Sequence, residues 1–530
     1  MKSLRNIIIS ALIALTGVSC VSLDTPPHDR ETDLTFWSKD PGAAIKSLNT
    51  CYTYLASIEE MMYSEAMTDN AYVKGSDKFS NNLANGQYST ADSYVKLVWD
   101  SRYTGIKLCN ELLGNIDKVP DLSEENKKSY IGQAMAIRAY HYYELFTKFG
   151  DVPYVTKVLS IAETRTISRT PKAQVVENIL KDLDEVIDGK YLPVSYDADN
   201  KGRITHYAAV AIKAKICLFE GMWDEVRIAT QDIMDNADYD LCDSYASVFE
   251  SDNEYNKEVI MDVQYRQVSR EQNMQYNFIP PSMGGYSFLS PLQELVDSYI
   301  MLNGKTVDEA GSGYDENKPY ENRDPRLAAT ILCSGGSYTM PDGSENSIDC
   351  RNGRDLAQFL GGESDASATG YYIKKYWDRH YRATFMSGLN PIIIRYADIL
   401  LMNAEALVEL DKFDAAAWNR TIKRLRERAG FTDNAALNFP AGDLRSIVRN
   451  ERRCELALEG HRHKDIMRWK IAEKVLNGNC HGFYTGEAFG TDNGYHIVEN
   501  RKFNADRHYL WPIPQAERDL NKNLSQNPNW

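Results

Sequence analysis

Apolar residues along most of the chain recur every three or four positions. Between Pro391 and Leu410, Ile393, Tyr396, Ala397, Leu400, Leu401, Ala404 and Leu407 fall on one face of a helix. Lys412 and Phe413 interrupt the pattern. A second helix then starts, with Asp414 as its N-cap and Gly430 as its stop. The same grammar occurs earlier. A helix over 204–220 ends in a turn around Gly221 and Trp223, and another runs from Asp224 to Ala237. A helix over 129–149 stops at "GDVP", and its partner begins with Thr170 as N-cap and Pro171 in the first helical position. No long alternating run competes with this period. Helix pairs with small residues at their crossings and an aromatic near the turn predict tetratricopeptide-like stacking, in which neighbours share a core. The copies are irregular and far apart, so the expectation is a mainly α scaffold with insertions.

Two stretches break the helical texture. From about Gln264 to Pro391 (264–391) Gly, Ser, Asp, Asn and Tyr dominate, and a shorter stretch, "MTDNAYVKGSDKFSNNLANGQYSTADSY", spans Met67 to Tyr94. Long irregular segments in a folded chain usually carry function, so ligand chemistry is expected there.

Length and charge narrow the class. The chain has 530 residues, 43% hydrophobic and 25% charged, with a net charge of −15. That excess of acid argues against nucleic acid or an anionic membrane surface as the main partner. The 33 tyrosines supply flat apolar faces edged by a hydroxyl, suited both to helix packing and to polar ligands. "MKSLRNIIISALIALTGVSC" reads as a secretory signal over 1–19: Lys2 and Arg5, then a short apolar run, then small residues up to Cys20. It also resembles a bacterial lipobox, departing from the usual pattern at Gly17, where a Leu is common. The resemblance implies Cys20 as the lipid-attachment residue. None of the remaining eight cysteines forms a CxxC pair. Cys51, Cys109, Cys217 and Cys454 lie in helical patterns and read as buried small hydrophobes. Cys333 and Cys350 flank a Gly- and Asp-rich loop, where disulfide and free thiols both stay open.

Several blocks then occur in a fixed order: "GQAMAIRAYHYYELFTKFGDVPYVT", "GRITHYAAVAIKAKICLFEGMWDEV", "IIIRYADILLMNAEAL", "VRNERRCELALEGHRHKDIMRW" and "LWPIPQAERDLNKNLSQNPNW". Together they resemble the SusD/RagB family of outer-membrane lipoproteins of Bacteroidetes. The resemblance implies a SusD-like fold, tetratricopeptide-like helix pairs carrying long loop insertions that form the ligand face. The organisation expected is a signal peptide (1–19), an N-terminal helical region (20–262) and a C-terminal region (263–530) holding the loop-rich insertion and closing helices. It also implies a surface-exposed outer-membrane lipoprotein that binds oligosaccharides non-catalytically and serves a SusC-type TonB-dependent transporter. Oligopeptide binding is the alternative within the family, and a surface glycoside hydrolase the alternative outside it.

The segment "NERRCELALEGHRHKDIMRWK" tests the hydrolase alternative. Glu451 and Glu455 are four apart, within the range a retaining glycosidase uses. They also fall on the stripe of Leu444, Val448 and Leu458, with Arg452, Arg453, Arg462 and Arg468 nearby in sequence, which favours structural ion pairs. His461 and His463 would point apart on a helix. No metal site or cofactor is predicted; a calcium ion in an Asp/Asn-rich loop such as "DADNKG" is left open. The candidate ligand residues are Asp69, Asn70, Tyr72, Phe79 and Tyr88 in the first insertion, and Tyr286, Phe288, Trp377, Asp378 and Arg379 in the second. Trp99, Trp223, Trp418 and Trp469 lie on or beside helices and are assigned to packing.

Overall fold

The structure is a computed structural model and describes residues 33–75 and 81–530. The expected signal peptide, Cys20 and Phe79 lie outside the described residues. The architecture is mainly helical. Its frame is formed by α1 (Ala43–Thr53), α2 (Ser93–Asn115), α3 (Glu124–Phe149), α4 (Lys172–Asp188), α5 (His206–Glu220), α6 (Trp223–Asn236), α7 (Tyr396–Glu409), α8 (Ala415–Arg420), α9 (Ile422–Ala429), α10 (Leu444–Glu455) and α11 (Arg462–Arg468). From α2 to α7 each helix packs on the next in sequence, and α7 then packs on α10. This is the linear neighbour-on-neighbour stacking of helix-pair repeats.

Local signals set the ends. The Asp92 side chain accepts from the amides of Tyr94 and Val95 at the start of α2, and Thr205 accepts from Ala208 at the start of α5. Asp414 caps α8 and Gly430 closes α9 in the left-handed region at φ +104°, as the pattern predicts. The helix expected to run unbroken between them divides at Thr421 (φ −123°, ψ −91°). The start of α4 falls one residue later than expected. Thr170 is extended, paired with Val152, and Pro171 takes the cap position while the Lys172 amide donates to Asp151 at 2.8 Å. At the α2–α3 crossing a Cβ on Gly105 would lie 2.1 Å from the His141 ring, so the close approach requires glycine.

Two cores result. The first lies within the stack and holds Trp99, Phe146, Leu183, Ile216, Leu400, Trp418 and the C-terminal Trp511. In α7 every residue from Tyr396 to Ala406 is buried, so this helix is covered on all sides. The second core gathers Tyr63, Phe249, Ile279, Tyr299, Tyr338, Tyr371, Leu458 and Phe483. The insertion therefore has an interior of its own. Both cores draw residues from either side of position 262, so the division expected there is one of sequence and not of packing. Trp99, Trp418 and Trp469 are buried, and Trp223 packs on the first core. Cys333 and Cys350 are free thiols.

Short strands tie the insertion to the frame. β1 (Ala71–Val73) pairs antiparallel with β3 (Leu289–Pro291), Tyr72 opposite Ser290. β2 (Val259–Asp262) pairs with β4 (Ile392–Arg395), which leads directly into α7. β5 (Gly478–Tyr484) and β6 (Tyr495–Arg501) form a hairpin near the C-terminus.

The arginine-rich segment is a structural hub. Five buried carboxylates, Glu258, Asp324, Glu451, Glu455 and Glu459, meet five buried cations, Arg326, Lys375, Arg395, Arg426 and Arg428. The formal charge of this cluster is zero, which is what makes its burial tolerable. The partners differ from those adjacent in sequence. Arg452 binds Asp398 and Asp465, Arg453 and Arg462 bind Asp69, and Arg468 binds Glu405, whereas Glu455 is held by Arg326, Arg395 and Arg428. Burial alone would raise the Glu455 pKa; the three guanidinium groups outweigh it and hold the carboxyl far below its ordinary range. His461 faces Lys215, while His463 lies against Trp511. Burial lowers both imidazole pKa values, that of His463 to about 3.

Candidate ligand-binding face

The insertion brings seven aromatic rings into one continuous chain. Tyr338 and Trp377 lie 5.1 Å apart between centroids, Trp377 and Tyr381 5.4 Å, and Tyr381 and Phe385 4.8 Å. Phe385 continues to Tyr276 at 5.7 Å, Tyr276 to Tyr286 at 4.5 Å, and Tyr286 to Phe288 at 5.6 Å. Tyr338 is buried and roots the chain; the other six rings are partly exposed. Three contacts are within 31° to 33° of parallel, so those rings face similar directions.

Two loops position the six partly exposed rings. Pro281–Met283 forms a single 3-10 turn, closed by Gly284 at φ +86°. A Cβ on Gly285 would meet the Ile279 backbone at 2.3 Å, so the turn admits no larger residue there. Beyond it the Tyr286 amide donates to the Tyr276 carbonyl at 3.0 Å, setting the two rings side by side. Phe288 precedes β3, and the Lys74 amide donates to its carbonyl at 2.9 Å. The Lys74 ammonium stands 5.7 Å above the Phe288 ring, and burial lowers its pKa to about 8. Tyr72 is partly buried in the middle of β1, two residues before Lys74. The Trp377 indole donates to the Thr339 carbonyl at 2.9 Å. The hydrogen bond with Tyr286 pushes the Tyr276 phenol up to about 12, leaving it a donor at neutral pH.

Of the expected ligand residues, the structure brings Tyr286, Phe288 and Trp377 together on this chain. Others are placed elsewhere, and these are corrections. Asp69 is buried and accepts both Arg462 nitrogens at 2.8 Å; burial would raise its pKa, but Arg453 and Arg462 hold it well below the carboxylate range. Asn70 is buried between Glu65 and Arg453. Tyr88 is buried against Trp530 and His508 and staples the C-terminus to the frame. Asp378 is buried and accepts from the Ser251 and Ser387 hydroxyls at 2.7 and 2.6 Å. Arg379 is exposed but paired with Asp252 at 2.7 Å. Asp69, Asn70, Tyr88 and Asp378 therefore hold the fold and do not line the open face. Tyr276, Tyr381 and Phe385 belong to the chain and were not anticipated. A signal for two of them was present: Trp377, Tyr381 and Phe385 recur every fourth residue in a segment that forms no α-helix.

A stack of helix pairs carrying a loop-built row of half-exposed rings defines a scaffolded binding protein. The chain belongs to the SusD family: the model of that family matches residues 257–530, and a second, described as "Starch-binding associating with outer membrane", matches residues 41–218. A SusD-like carbohydrate-binding protein of Bacteroides fragilis superposes with a TM-score of 0.83 at 28% identity, covering 93% of this chain and 100% of that one. A second SusD-like protein of the same species gives 0.81 at 28% identity, covering 96% and 100%. A SusD-like protein of Formosa agariphila is 25% identical over 91% of this chain and 93% of its own length.

Proposed function

We propose that this chain is a surface lipoprotein that captures oligosaccharides without chemical change and passes them to a SusC-type TonB-dependent outer-membrane transporter. The row of six partly exposed rings carries this reading. A pyranose has an apolar C–H face that stacks on such rings, while neighbouring phenols bond its hydroxyls. Each ring that covers ~50 Å² of apolar surface contributes about 1 kcal/mol. A few such contacts, less the cost of association, give roughly micromolar to millimolar affinity, suited to cargo that must be released. The carbohydrate-binding relative from Bacteroides fragilis supports the ligand class. The hydrolase alternative loses its candidate pair, because Glu451 and Glu455 are buried and engaged by arginines.

Among the described residues no helix is long and apolar enough to cross a membrane, and the proposed attachment is the lipid on Cys20. A Cys20→Ala variant is expected in the soluble fraction; unchanged membrane association overturns the anchor. Co-purification from mild detergent is expected to recover a TonB-dependent transporter. A screen of the mature protein on a glycan array tests the ligand class. Binding of glycans supports the reading, and binding of peptides with no glycan retained overturns it.

A further inference from the structure

Beyond the segment from Trp377 to Leu389, three cavities adjoin. One of about 380 Å³ is walled by Phe249 and Trp377. It shares Ser251 and Asp252 with a second, of about 820 Å³. The second shares Lys201 and Tyr255 with a third, of about 490 Å³. They form one groove that leaves the aromatic row at Trp377 and runs toward α6.

The middle of this groove pairs tyrosines with cations. The Lys201 ammonium stands 5.6 Å over the Tyr255 ring, and the Arg270 guanidinium 5.1 Å over the Tyr265 ring. Arg266 lies opposite Arg270 on a small hairpin, their backbones paired at 2.8 and 2.9 Å around an exposed Val268 at φ +74°. Among the described residues none of Lys201, Arg266 and Arg270 forms an ion pair. That is notable on a chain with 75 acidic residues against 60 Lys and Arg, where unpaired acids should outnumber unpaired bases.

Four acids on the same walls are engaged or partly neutral. Asp252 binds Arg379 and His380 at 2.7 and 2.9 Å. Asp378 accepts the two serine hydroxyls and the His380 amide. Glu254 accepts the Asn390 amide, and burial raises its pKa to about 7. Asp262 accepts from Gln264 and Asn390, and burial raises its pKa to about 6. Asp199, Asp238 and Glu250, all exposed, are the groove carboxylates with no described side-chain partner, and of these only Asp199 lines the middle cavity.

A flat apolar face with an unpaired cation beside it matches a sugar ring that carries an anionic substituent. We propose that this groove binds saccharide units bearing carboxylate or sulfate groups, which lie against Tyr255 and Tyr265 on the sides the cations leave open while Lys201, Arg266 and Arg270 receive the charge. This rests on the glycan-binding reading of the adjoining face.

The test is pull-down on immobilised polygalacturonate and dextran sulfate, with starch and laminarin as neutral counterparts, at low and high salt. Wild type is expected on at least one anionic matrix, released by salt. The Arg266→Ala/Arg270→Ala double variant is expected to bind that matrix about tenfold more weakly, two screened charge contacts being lost. These side chains make no described hydrogen bond, and a thermal melt equal to wild type confirms folding. Polygalacturonate against dextran sulfate separates carboxylate from sulfate recognition. Retention by neutral matrices alone overturns this proposal and leaves the glycan-binding reading standing. Anionic retention unchanged in the double variant overturns the groove. No retention on any matrix overturns both.

Discussion

The Asp378 amide donates a 3.0 Å hydrogen bond to the side-chain oxygen of Gln275, and the nitrogen of the same side chain reaches the Phe385 carbonyl at 3.2 Å. Gln275 is buried and sits one residue before Tyr276. One side chain therefore links the two loops that supply the aromatic row. Replacing it with Leu keeps the bulk but leaves an amide and a carbonyl unpaired, a cost of about 1–3 kcal/mol. Gln275→Leu is expected to lower the melting temperature and also to weaken glycan retention measured well below it. Reduced stability with unchanged retention would show that the row does not depend on this link.

Glu455 is the most heavily paired carboxylate of the buried cluster, meeting Arg326, Arg395 and Arg428. Glu455→Ala leaves three guanidinium groups under-compensated in the interior. The expected loss is about 3–5 kcal/mol, read by chemical denaturation. An unchanged melting temperature with collapsed ligand binding would move this glutamate from the scaffold to a site.

What the sequence disclosed depended on how local each determinant is. The α7 stripe, the Asp414 cap and the Gly430 stop are set within a few residues, and they are found as read. Asp69 looked like a loop carboxylate because its partner Arg462 lies 393 residues away. Tyr88 looked exposed because it packs on Trp530, the last residue of the chain. Tyr276 meets Phe385 through the pairing of Gln272 with Ser387 and the Gln275 bridge, contacts that no local pattern encodes. Periodicity thus discloses the frame, while loop function depends on pairings across the chain.

Two carboxyls near the groove tie stability to pH. Burial raises Glu254 to about 7 and Asp262 to about 6. The folded state therefore binds more protons than the unfolded chain between pH ~4 and ~7, and stability falls as pH rises through that window. The buried histidines act in the opposite sense, since their folded values are lowered. The informative quantity is the difference between variant and wild type. Glu254→Gln/Asp262→Asn is expected to gain melting temperature over wild type at pH 8 and to lose that advantage at pH 5. An equal difference at both values would show that neither carboxyl titrates with folding.

The aromatic row makes the sharpest prediction, because it separates rings that bind from rings that pack. Tyr276, Tyr286 and Trp377 are partly exposed members of the row, while Tyr88 is buried against Trp530 and His508. Removing three platforms worth about 1 kcal/mol each should weaken affinity roughly a hundredfold. The triple variant Tyr276→Ala/Tyr286→Ala/Trp377→Ala is expected to lose retardation in a gel holding a glycan that the wild type binds. It should keep its circular dichroism spectrum, with a modest drop in melting temperature from the lost Trp377 bond to Thr339. Tyr88→Ala is expected to show the reverse, a clear loss of stability with retardation retained at low temperature. Full retention by the triple variant would reject this face. Equal loss of binding in both variants would mean that retardation reports folding and not contact with the sugar.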